Sequence, residues 1–141
     1  LSVSPLLSIR SDLADAKDLS YMAGASAWLQ ENTVPGTLIF QTDWDDFTNL
    51  FYHNTQNNYL VGLDPTYLQV ANPTMWNQWV AITQGLVDRP SVLIQETFNA
   101  AYVVSDTQHD AFAEKADQDP RMELVYRDAN SLIWQITSES Q

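Results

Sequence analysis

The chain contains no cysteine. Disulfides, thiolate metal sites and cysteine nucleophiles are excluded with it. Glycine is nearly as scarce, with four in 141 residues, which leaves little material for a glycine-rich phosphate cradle. No G-x-G-x-x-G fingerprint, phosphate loop or nucleophile elbow occurs. Basic residues are few: six Lys and Arg stand against eighteen Asp and Glu, a net charge of −12. That field repels phosphate backbones and anionic lipid surfaces, so neither nucleic acid nor electrostatic docking on a membrane is expected. No run of residues is long and apolar enough to span a bilayer. Residues 1–9 lack the basic start of a signal peptide. The sequence opens on Leu1 rather than Met and is read as an excised piece or a processed product. The triplet Asn72-Pro73-Thr74 is blocked as a glycosylation site by its proline.

What remains is the material of a packed core. Hydrophobic residues make up 45% of the chain and charged residues 17%, ordinary values for one globular domain of this length. Sixteen aromatics, five of them Trp, supply large buried areas. Residues 1–19 are weakly patterned and read as a linker or lead-in, residues 20–137 as a single α/β domain, and residues 138–141 as a frayed tail.

Within the domain the apolar pattern switches between helical and strand periods. Tyr21, Met22, Ala25, Trp28 and Leu29 share one helical face, and Val34-Pro35-Gly36 ends that helix. Leu38-Ile39-Phe40 reads as a buried strand, residues 45–52 as a short helix, and residues 59–63 as a second buried strand. Pro73 suits the first turn of a helix that closes at Gly85. A further helix starts at Pro90, a third buried strand covers residues 101–105, and a helix covers residues 110–117. Residues 122–126 and 132–136 form a terminal hairpin. Strands alternating with helices predict right-handed crossovers and a small three-layer, mostly parallel, Rossmann-like sheet, with the hairpin as its antiparallel edge.

Each of the three central strands ends in aspartate, at Asp43, Asp64 and Asp106. In a parallel sheet these ends share the carboxyl edge, where open α/β sheets place ligands. Asp45 and Asp46 add two carboxylates beside Asp43. Clustered oxygens suit Mg²⁺ or Ca²⁺, and paired carboxylates suit acid–base work. A divalent cation is the one cofactor this pattern admits; otherwise none is expected. Against this stands a plainer role, because Asp at a strand-to-helix junction caps free helix N–H groups. Asp43 and Asp106 both precede predicted helices, Asp64 precedes Pro65, and capping or turn roles outweigh a metal or catalytic cluster. Trp44 lies among carboxylates and either stacks on a sugar ring or packs on the first helix. His53, beside Asn54, sits in a polar loop. His109 reads as a surface residue, and Trp28, Trp76, Trp79 and Trp134 read as core.

Several segments together resemble a known family. They are Ala27-Trp28-Leu29-Gln30-Glu31-Asn32-Thr33-Val34-Pro35-Gly36, Ile39-Phe40-Gln41-Thr42-Asp43-Trp44-Asp45-Asp46-Phe47, Leu50-Phe51-Tyr52-His53-Asn54, and Tyr59-Leu60-Val61-Gly62-Leu63-Asp64-Pro65-Thr66-Tyr67. Ala101-Tyr102-Val103-Val104 and Leu124-Val125-Tyr126-Arg127-Asp128 continue the layout. The chain resembles the C-terminal soluble domain of bacterial multi-spanning glycosyltransferase-like proteins, which in turn resemble the lipid-phosphate-sugar-dependent mannosyltransferase and oligosaccharyltransferase superfamily. The resemblance implies an extracytoplasmic accessory domain that packs over the membrane-embedded part of the same polypeptide and either contacts sugar or acceptor or shapes the active site. It also implies that the catalytic carboxylate lies in the membrane part, so no catalytic residue is assigned here. The binding candidates are Asp43, Trp44, Asp45, Asp46, His53, Asn54, Asp64, Tyr67 and Asp106. A stand-alone metal- or carboxylate-dependent hydrolase using the aspartate edge is the first alternative. A carbohydrate-binding or protein-docking module centred on Trp44 and His53 is the second.

Overall fold

The structure is a computed structural model that describes residues 22–43, 49–50, 53–60 and 69–137. The lead-in, the tail and the candidates Trp44, Asp45, Asp46, Asp64 and Tyr67 lie outside the described residues. The elements that lie wholly within the described residues are α1 (Ala23–Asn32), β1 (Leu38–Gln41), β2 (Asn58–Tyr59), α2 (Pro73–Thr83), α3 (Pro90–Phe98), β3 (Tyr102–Asp106), α4 (Asp110–Gln118), β4 (Met122–Arg127) and β5 (Ser131–Ile136). No described helix is long and apolar enough to cross a membrane.

The protein is α/β, with five strands in one sheet of order β2-β1-β3-β5-β4. β1 pairs in parallel with both β2 and β3, whereas β5 pairs antiparallel with both β3 and β4. The expectation of a mostly parallel, Rossmann-like sheet is therefore corrected to a mixed sheet. The reason is the hairpin. Its second strand lies against β3 over five residue pairs, from Tyr102 opposite Gln135 to Asp106 opposite Ser131. This antiparallel ladder is longer than either parallel one.

Side-chain alternation along the strands divides the core in two. Phe40, Val103 and Trp134 point to one face, where they meet Trp79 and Ile82 of α2, Ile94 and Phe98 of α3, and Phe112 of α4. Ile39, Val104 and Ile133 point to the other, against Met22, Ala25 and Leu29 on the α1 side and against Leu50. The sheet is thus the middle of three layers. Phe40 meets Phe98 and Phe112 meets Trp134 edge-on, with centroids 5.4 and 5.5 Å apart. Such pairs add about 0.5–1.5 kcal/mol each beyond the area they bury.

Helix ends follow their local chemistry. Asn72 Oδ1 accepts from Met75 N–H at 3.1 Å, and Pro73 fills the first turn as expected. Gly85 takes φ +75°, with its N–H on Ile82 O and the Leu86 N–H on Ala81 O. This is a Schellman closure, which needs a left-handed residue after the helix. α3 is capped from a distance: the Ser91 N–H donates to Oδ2 of the buried Asp119 at 2.9 Å. The first helix starts later than its apolar pattern implies, because Met22 is itself left-handed (φ 67°) with its side chain buried.

A buried amide network ties the amino ends of β1 and β2 together. Asn57 Nδ2 donates to Thr33 Oγ1 at 2.7 Å and to Thr37 O at 3.3 Å, and Asn54 Nδ2 donates to Asn57 Oδ1.

Candidate functional site

The strand order fixes where a site can form. The chain leaves β1 to form β2 on one side of it, then crosses to form β3 on the other. Connections diverge at the carboxyl ends of β1 and β3, the position where open α/β sheets leave a crevice. The ladder between these two strands continues past Gln41. Thr42 N–H donates to Val104 O at 3.1 Å, and Thr42 Oγ1 donates to Ser105 Oγ at 3.0 Å. Ser105 Oγ in turn donates to Asp106 O at 3.1 Å. These buried hydroxyls hold the two strand ends in register, so Asp43 and Asp106 emerge side by side.

The turn from β3 into α4 adds an imidazole. Asp106 is 3% exposed, and its Oδ1 accepts from Gln108 N–H at 2.8 Å. His109 Nδ1 lies 2.8 Å from the same oxygen. With Asp106 ionised, that bond places the proton on Nδ1 and leaves Nε2 as the basic nitrogen, whatever it meets. One ligand atom each from Asp43, Asp106 and His109 lie within 4.8 Å of one another. Two carboxylate oxygens and an imidazole nitrogen form a donor set that can hold a divalent cation, the carboxylates suiting hard ions and the imidazole suiting borderline ones such as Zn²⁺.

Helix α2 borders this edge. Trp79 is buried and its Nε1–H donates to Gln41 O, the last carbonyl of β1, at 2.9 Å. At the far end of α2, a Cβ on Gly85 would stand 2.6 Å from the Ala111 carbonyl carbon, in the first turn of α4. The C-terminal half of the helix therefore spans from the end of β1 to the start of α4. Trp76 stacks on Trp79 with centroids 5.2 Å apart and planes 28° apart, and it stays only partly buried.

Of the sequence-derived candidates, Asp43 and Asp106 converge. Asp106 is not the cap of α4, as its position had suggested. The N-cap position is His109, with no side-chain capping bond, and the Asp106 carboxylate closes an Asx-type turn on Gln108 instead. His109, read from sequence as a surface residue, is held on Asp106 with 22% of its side chain exposed. The signal for it was present: an imidazole three residues after a strand-ending aspartate. Asn54 sits at the opposite ends of the strands, is 1% exposed, and accepts from Gln56 N–H on Oδ1 and from Tyr59 Oη on its carbonyl. His53, beside it, is half-buried. Trp134 is core as expected, while Trp28 is partly buried and packs on Tyr102 at 6.1 Å.

A second polar cluster lies at the hairpin turn. Asp128 Oδ1 accepts from the Asn130 and Ser131 N–H groups and from Ser131 Oγ, and Oδ2 accepts from Tyr126 Oη. Burial works to raise the Asp128 carboxyl, but the hydrogen bonds from Tyr126, Asn130 and Ser131 outweigh it and hold it below the usual carboxylate range. Burial, then the bond to Asp128 and its charge, push the Tyr126 phenol up to about 12. Gly24 of α1 packs directly on this pair: a Cβ there would meet Tyr126 Oη and Asp128 Oδ2 at 2.0 and 2.7 Å. The cluster anchors α1 to the hairpin.

Compared with known proteins, the chain matches no family model, no curated protein and no solved structure.

Proposed function

We propose that this chain is the extracytoplasmic C-terminal accessory domain of a polytopic membrane glycosyltransferase and has no transfer activity by itself. Its partner in this reading is the membrane-embedded part of the same polypeptide, and the carboxyl edge of the sheet contacts sugar or acceptor. The observation that supports it is the convergence of Asp43, Asp106 and His109 at that edge. The three groups form a polar cluster at the strand ends, with Asp106 buried and Asp43 and His109 partly exposed, and such a cluster suits the orienting of a substrate. The family resemblance of residues 21–136 supplies the membrane context.

The test uses the parent membrane protein. Transfer is expected to require the domain, to fall when Asp106→Asn is introduced, and to be absent from the isolated chain. Sugar transfer by the isolated chain overturns the reading. So does a parent protein that works equally well without the domain.

The same convergence also favours a metal-dependent hydrolase, because its donors suit a divalent cation. Calorimetric titration with Mg²⁺, Mn²⁺, Ca²⁺ and Zn²⁺ separates the two readings. A stoichiometric cation lost in Asp106→Asn, together with hydrolytic turnover, supports the hydrolase.

A further inference from the structure

We draw no further inference here: the strongest candidate, the uncharged outer surface of α2 with Val70 and Leu86 exposed beyond its two ends, carries nothing, because nothing among the described residues shows what covers it.

Discussion

Alanine at Gly85 tests whether α2 truly abuts the start of α4, and alanine at Gly36 is its control. Both glycines are left-handed, with φ +75° and +89°. An L-residue in that region costs roughly 1–2 kcal/mol. Replacing glycine recovers about 0.4–1 kcal/mol from the unfolded chain. Gly36→Ala is therefore expected to cost about 1 kcal/mol, because nothing lies within 4 Å of its Cβ. Gly85→Ala carries the same conformational cost and a steric one. Its Cβ would stand 2.6 Å from the Ala111 carbonyl carbon and Cβ and 2.7 Å from the Ala111 oxygen. These are mostly backbone atoms and cannot rotate aside, so the first turn of α4 must shift. Overpacking of this kind costs about 1–3 kcal/mol, for a total of roughly 2–4. Urea denaturation reads the difference. With a slope of about 2 kcal/mol per molar, the two midpoints should separate by roughly 1 M. Ala111 follows His109 by two residues, so the imidazole signals of His109 should move in Gly85→Ala and stay still in Gly36→Ala. Equal destabilisation of the two variants would refute the packing argument, since it would leave only the backbone term they share.

Other expectations follow from the polar clusters. Asn57→Ala removes the bonds to Thr33 and Thr37 and strands the Asn54 amide, so thermal denaturation should show a loss of about 2–4 kcal/mol. A melting point within about 2 °C of the parent would contradict it. Gly24→Ala should destabilise the chain through Tyr126 Oη, and adding Tyr126→Phe should restore part of the loss in a double-mutant cycle. Additive costs would mean that the two groups do not press on each other. The Tyr126 phenol is raised in the folded state, so its stabilisation is complete below the ordinary tyrosine range and declines as pH climbs from about 10 toward 12. Melting across that window should fall more steeply in the parent than in Tyr126→Phe. Asp128 has the opposite sign. Its depressed carboxyl stabilises the fold above the ordinary aspartate range, and that contribution fades as pH falls below about 4. Asp128→Asn should flatten the acid limb of the stability curve.

Element types were legible because apolar spacing is a local property. The helix beginning at Pro73 and the strands around Val103 and Trp134 could be read directly. Strand order could not, because nothing in the spacing of residues 131–136 says that they pair with β3 as well as with β4. The mixed character of the sheet followed from that pairing. The same limit applied at the site. Three strand-ending aspartates were visible as a pattern, and two are now seen to converge or to turn inward with described neighbours. The inclusion of His109 depended on a tight turn that doubles residues 106–109 back on one carboxylate oxygen. The two indoles of α2 also looked alike in sequence, although one is buried with its N–H on the end of β1 and the other packs on the core from its partly exposed rim.

The position of β5 has a consequence for synthesis. It is the last of the described strands in sequence, yet it lies inside the sheet, between β3 and β4. During translation β3 therefore waits with one flank unpaired until residues 131–136 leave the ribosome, and β4 emerges before it has a strand to join. Only the final strand closes the sheet and places Ile133 and Trp134 into its two opposite cores at once. A nascent chain halted before Ser131 would expose both apolar faces together, the kind of intermediate that chaperones hold.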